Sequence, residues 1–270
     1  MSTNSATRQV LALLLGMPTV TFAQGKFPDR PIIMVVPFPP GGSADVVARR
    51  VAQGMSDAIG QPVIVDNRAG AGGTIGASFV ARSSKDGYRL MFATSSGTVI
   101  SAALYKSVTY STKSFTPIIE VTRGPFILSV QKDLSIKNVK ELLAYGKAHP
   151  GKLNYGSAGA GSAHHLAMEE FKQASGLDAV HVPYKGGAPA WTALLGGAIH
   201  LMFDSAPGPL LNPGRVKPIA VSGATRLTQL PDMPTFAEQG IKGVDSGFFF
   251  GVVGPLGIPP AILDKLHTAL

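Results

Sequence analysis

Two glycine-rich loops, PFPPGGSADVVAR (Pro37 to Arg49) and YGSAGAGSAHHL (Tyr155 to Leu166), each stand between a short apolar run and a helical pattern, about a hundred residues apart. A strand that turns through such a loop into a helix aims the helix's unpaired N–H groups and its positive end at one point. A small anion can be held there without any basic side chain. Two such loops predict two α/β units that share a cleft, and they make anion binding the leading functional expectation.

The flanking patterns support that layout. The run IIMVV (Ile32 to Val36) is continuous and β-branched, as suits a strand buried on both faces. Val47, Val51, Met55 and Ile59 then recur every fourth residue, which predicts a helical stripe from Ala44 to a stop at Gly60 and Pro62. VIVD (Val63 to Asp66), a helix over Gly76 to Ser83 and RLMFA (Arg89 to Ala93) extend the alternation, hence right-handed crossovers and a parallel sheet. A second unit begins at FILSV (Phe126 to Val130), with helices over Val139 to Ala148, Ala163 to Ala174 and Ala188 to Leu195. Its strands are LNYGS, Ala179 to Tyr184 and Ile199 to Asp204. Ile219 to Ser222 and Phe248 to Val253 read as later strands, with a Pro-punctuated loop and a short helix in LPDMPTFAEQG between them.

Composition narrows the function classes. Cysteine is absent, which removes disulfides, thiolate chemistry and Cys-ligated metals. The formal charge of +8 comes from scattered basic residues, with no aromatic residues interleaved as stacking platforms, so nucleic acid is not an expected partner. Met1 to Ala23 carries Arg8, an apolar stretch from Val10 to Leu15, and small residues ending in TFA, which reads as a secretory signal peptide (residues 1–23) cleaved near Ala23. That stretch is far below the roughly 20 residues a membrane-spanning helix needs. Export is therefore expected.

Enzymatic motifs fail one by one. G-x-G-x-x-G would need a third glycine where Ile75 and His164 stand. Neither Gly-Lys pair is followed by Ser or Thr, as a P-loop requires, and neither Ser157 nor Ser162 sits in G-x-S-x-G. The adjacent His164 and His165 diverge by about 100° around a helix and lack zincin spacing, so neither a catalytic residue nor a metal or cofactor is expected. His165, in the first helical turn, is a candidate donor to a ligand or a packed ring under the loop. Asp45 is read first as a cap on loop N–H groups. Thr94, Ser95, Ser96, Gly97 and Thr98 follow directly on a strand, at the carboxyl end where α/β sheets bind ligands. Lys185 and Asp204 each stand at a strand's end, and Asp204 would repel a carboxylate yet accept an ammonium or a bridging water.

Four segments together, FPDRPIIMVVPFPPGGSADVVAR, VIVDNRAGAGGTIGA, KLNYGSAGAGSAHHL and VHVPYKGGAPA, resemble the Bug receptors, the periplasmic solute-binding proteins of tripartite tricarboxylate transporters. The resemblance runs from about Phe27 to Leu270. It implies an α/β fold of the two-domain periplasmic-binding-protein type (type II-like), with mixed, mostly parallel sheets and a ligand cleft between the domains. Residues 24–123 with 246–270 would form domain 1, and 124–245 domain 2, hinged near Val121 to Phe126 and Ile241 to Phe248. Carried over by motif, a small carboxylate-bearing metabolite (a di- or tricarboxylate, amino acid or aromatic acid) would lie over Pro39, Pro40, Gly41, Gly42 and Ser43, beside Thr94 to Thr98. Ser157, Ala158, Gly159, Gly161, Ser162 and His165 would face it from the second domain, with Asp204 at the far wall. The implied partner is a membrane permease, with the receptor itself a monomer.

The alternative readings are a receptor that signals to a sensor kinase, or an exported hydrolase or lyase using His165 or Asp204 as base. Family chains run some fifty residues longer, so a C-terminal helix is expected to be incomplete here. SAPGPLLNPGRVKP, crowded with helix breakers, is expected to alter the rim after Asp204.

Overall fold

The computed structural model describes residues 27–205 and 214–270. The signal-peptide reading, and most of the proline-rich stretch after Asp204, lie outside the described residues.

Strand β1 (Ile32–Val36) leads through the first glycine-rich loop into helix α1 (Ser43–Ile59), and β2 (Val63–Asn67), α2 (Thr74–Ala81) and β3 (Arg89–Thr94) follow. Ile32, Met34, Val35 and Val36 are fully buried, as a strand with neighbours on both sides and helices above and below must be. The stripe of α1 is offset from the expected one. Ala44, Ala48, Ala52 and Met55 face the core, while Val47, Val51 and Ile59 are only partly covered. Alanine brings the helix backbone close to the sheet, and the bulkier residues fill the margins. Gly60, in the left-handed conformation, ends the helix.

After β3 a wide helical turn, Ser95–Ile100, runs into the short helix α3 (Ser101–Leu104). The next element, β4 (Phe115–Pro125), is not foreseen in the sequence, because Pro117, Gly124 and Pro125 read as turn signals. They are tolerated because β4 is the edge strand of its sheet. The chain then crosses into β5 (Ile127–Gln131), α4 (Val139–Ala148), β6 (Asn154–Ser157), α5 (Ala163–Ser175), β7 (Val180–Pro183), α6 (Gly187–Leu195), β8 (Leu201–Asp204) and β9 (Val216–Val221). It returns through β10 (Gly247–Pro255) and closes on α7 (Pro260–Thr268), whose Leu266 is buried in the first core. The expected short helix in LPDMPTFAEQG is a single turn, held by the Thr235 hydroxyl and the Glu238 carboxylate, which exchange bonds with each other's backbone N–H.

The two sheets have the same plan, β2-β1-β3-β10-β4 and β7-β6-β8-β5-β9. In each, two parallel pairings on one side meet two antiparallel pairings on the other, so four of the five strands run the same way and one runs against them, a mixed and mostly parallel sheet as expected. The antiparallel share arises where the chain changes sheets. β4 leaves and β10 returns side by side, with Gly247 opposite Pro125 and Phe248 opposite Gly124. This is a two-domain α/β fold with both crossings gathered at one edge of the cleft.

Candidate functional site

β1 and β6 end at the same cleft, and the glycine-rich loops after them start α1 and α5 there. In the first turn of any helix the N–H groups have no carbonyl four residues back. Ser43 and Ala44 in the first turn of α1, and His164 in that of α5, border a cavity of about 30 Å³ that Gly42, Thr94, Ser95, Ser96 and Ala158 also line. Two helix N-termini thus point into one enclosed space. Among its described lining residues there is no lysine or arginine.

The first loop owes its shape to Asp45. Its buried carboxylate accepts from the Gly41 N–H at 2.9 Å, Arg49 Nε at 3.0 Å and Asn67 Nδ2 at 2.8 Å. Burial pushes its pKa up, but Arg49, the Gly41 N–H and Asn67 outweigh that and hold it below the ordinary carboxylate range. Asp45 is a structural cap. The Gly41 N–H is consequently occupied, and Pro39, Pro40 and Gly41 shape the loop without lining the cavity.

A similar division holds in the second loop. Ser157 Oγ accepts from the Gly159 N–H at 3.1 Å and lies 2.7 Å from His181 Nε2, while Ser162 Oγ accepts from the His165 N–H at 3.3 Å. The His165 ring faces away from the cavity: its Nδ1 accepts from the Gly161 N–H at 3.1 Å, and it stacks on His181 with ring centres 4.0 Å apart. Burial lowers both imidazoles, that of His181 to about 4, so the stack is neutral near pH 7. Ser157, Gly159, Gly161, Ser162 and His165 thus brace the loop, and of the residues predicted in this loop only Ala158 reaches the cavity.

From the serine-threonine segment Thr94, Ser95 and Ser96 line the space, whereas Gly97 and Thr98 bond inward, the Gly97 N–H to Thr94 Oγ1 at 3.1 Å and Thr98 Oγ1 to the Thr94 carbonyl at 2.5 Å. Asp204 lies behind the lining. It is fully buried, accepting from Trp191 Nε1 and from the Ser205 N–H and Oγ. His164 Nε2 approaches its Oδ1 to 3.8 Å. Burial raises the Asp204 pKa, but the nearness of His164 and the Trp191 and Ser205 donors prevail and leave it lowered.

Three features escape sequence reasoning. Phe126, Phe248 and Phe250 form an aromatic wall along the crossing strands, with Phe126–Phe248 centres 5.7 Å apart and Phe248–Phe250 centres 5.0 Å apart. The run SGFFFG signals such a wall only once its position between lobes is known. Ser205 spans the cleft: its Oγ, whose proton goes to Asp204, lies 3.1 Å from Ser43 Oγ and accepts from that hydroxyl. His164, rather than His165, faces the cavity. The lobes also meet where the Ala163 N–H donates to Ser96 Oγ at 3.0 Å and Tyr105 Oη to the Ala160 carbonyl at 2.5 Å. The arrangement is closed.

Comparison with known proteins gives this geometry its context. Residues 47–270 match the family described as the tripartite tricarboxylate transporter family receptor. The chain belongs to that receptor family. The receptor is 38% identical, over 99% of its length and 82% of the relative's, to a protein encoded in the tcbD-tcbE intergenic region of Pseudomonas sp. (strain P51). It is 37% identical to BugT of Bordetella pertussis, over 89% and 75% of the two chains. Among solved structures, the receptor superposes on an R. palustris protein with adipate with a TM-score of 0.87, at 38% identity over 90% of this chain and 82% of that one. For MatC of Rhodopseudomonas palustris with bound malate the TM-score is 0.84, at 33% identity over 90% and 84%.

Proposed function

We propose that this receptor captures a small carboxylate-bearing metabolite in the periplasm and hands it to a membrane permease, with no reaction taking place. What carries the reading is that one helix N-terminus from each lobe opens onto the same cavity, which among the described residues no lysine or arginine lines. Ser43, Ala44 and the hydroxyls of Thr94, Ser95 and Ser96 would hold a carboxylate, and Phe126, Phe248 and Phe250 would cover its carbon chain. Adipate and malate, named for two structural relatives, both combine carboxylates with a short carbon chain.

The magnitudes suffice. Several charge-assisted hydrogen bonds at roughly 1.5–3 kcal/mol each, with helix-dipole contributions up to about 2 kcal/mol, reach the ~8 kcal/mol of micromolar binding after association costs. A cavity of about 30 Å³ is too small for such an acid, so the lobes must part for it to enter and, once closed on it, stand further apart than they do here. Residues 24–123 with 246–270 would swing against 124–245 about the paired crossings at Pro125 and Gly247, the ligand selecting the closed state.

A thermal-shift panel of mono-, di- and tricarboxylates, amino acids and aromatic acids tests this. At a hundred times Kd an acid ligand should add about 2.7 kcal/mol, or roughly 5–10 °C in melting temperature, and be recovered unchanged. If neutral sugars or cations stabilise the protein and no acid does, or if a bound acid is converted, the reading is wrong.

A further inference from the structure

Both ring nitrogens of His164 are buried and neither has a hydrogen-bond partner, and among the described residues these are the buried side-chain nitrogen or oxygen atoms left unsatisfied. Such atoms are rare in native proteins because each forfeits its hydration, so an orphaned ring at the edge of a ligand cleft marks where a ligand's own polar group belongs. His164 lines the cavity in the first turn of α5, across from Ser43 and beside Phe126, whose ring centre is 5.3 Å away. Behind it stands Asp204, whose oxygens already accept from Trp191 and Ser205. At 3.8 Å, the distance from His164 Nε2 to Asp204 Oδ1 is too long for a hydrogen bond and short enough to become one with a small shift.

This arrangement sets a charge problem. A carboxylate at the start of α1 is matched by the helix end, but a second carboxylate reaching α5 would approach the buried anion of Asp204. Asp204 is the charged group within 4 Å of the His164 ring among the described residues, while the crossing from β4 to β5 presents Phe126 and β10 presents Phe248. His165, next along α5, is turned to its own bonds with the loop and His181. We propose that His164 reads the second carboxylate of a dicarboxylate ligand, taking up one proton from solvent as the ligand binds. Nε2–H then faces Asp204 and Nδ1–H donates to the ligand. The imidazolium is flanked by two anions, and the positive end of α5 opposes it only in part. A monocarboxylate brings no second anion to the ring and binds with no proton uptake.

The inference rests on the carboxylate reading above, and the experiment separates the two. Malonate, succinate, glutarate and adipate are titrated calorimetrically against the full chain from pH 5.5 to 8.5, each beside the monocarboxylate of equal chain length. The expected result is that the best dicarboxylate loses affinity by up to tenfold per pH unit over the alkaline part of that range, as one linked proton requires, while its monocarboxylate counterpart stays flat. In His164→Gln the slope should vanish and the dicarboxylate-to-monocarboxylate affinity ratio at pH 6 should fall at least tenfold. Equal pH profiles for both acids with the native chain overturn the role of His164 and leave the carboxylate reading standing. The absence of binding by every acid overturns both.

Discussion

Asp204→Ala is expected to lower the melting temperature by roughly 6–12 °C. The substitution strips the Trp191 indole N–H and the Ser205 backbone N–H of their buried acceptor. Two unsatisfied donors at about 1–3 kcal/mol each amount to about 3 kcal/mol, at 2–4 °C per kcal/mol for a chain of this size. Asp204→Asn, which keeps an oxygen for Trp191, should fall between the two. The pH dependence has a definite sign. Because the folded state lowers this carboxyl, its ionised form contributes stability above the ordinary value of 3.8, and that contribution is lost as pH falls through the lower folded value. Melting curves of native protein and Asp204→Asn should therefore converge below about pH 4. A constant gap down to pH 2.5, or an alanine variant as stable as the native chain, would show that Asp204 is not the buried anchor described here.

The second large effect concerns closure. Gly186 precedes α6 at φ 126° and ψ 171°, a conformation essentially confined to glycine, and a Cβ added there would lie 2.5 Å from Pro39 Cδ in the opposite lobe. A proline ring has nowhere to turn. Gly186→Ala should therefore hold the lobes apart and weaken acid binding about 100-fold, equivalent to about 2.7 kcal/mol. Backbone strain alone would cost about 1–3 kcal/mol of stability and would not be relieved from the other lobe. Adding Pro39→Ala separates the two. The double variant should recover part of the affinity but none of the lost stability, and recovery of neither would show that the loops do not meet in the bound state. Gly41 is different: a Cβ there would find its nearest neighbour, Ala188, 4.0 Å away, so its φ of 85° is the main objection to a side chain.

The units of the fold were legible because each strand–loop–helix passage carries its own signals. IIMVV, the glycine-rich turn and Gly60 bracket α1 to within a residue. Val139–Ala148 matches the expected helix, starting at the Asn138 cap. What the sequence does not disclose is long-range pairing. β10 is an ordinary apolar run until it is seen to join β3 and β4 from more than a hundred residues away, as the one strand that runs against the other four of its sheet. The site divides in the same way. The loops were identifiable by glycine content, yet whether a loop residue faces the cavity or braces the loop depends on partners such as Asp45, His181 and Ser96, remote in sequence or a helical turn on. His164 and His165 differ by one position and one rotation about the helix. Only the rings packed against them, Phe126 and His181, decide which faces the cleft.

The most direct test of the account is a crystal structure of this receptor with the acid that binds it most tightly. The prediction is a closed pair of lobes with a carboxylate oxygen within about 3.2 Å of the Ser43 or Ala44 N–H, no lysine or arginine touching it, and the carbon chain against Phe126 and Phe248. A carboxylate held by a lysine or arginine, or bound outside the space between the two helix starts, would contradict it.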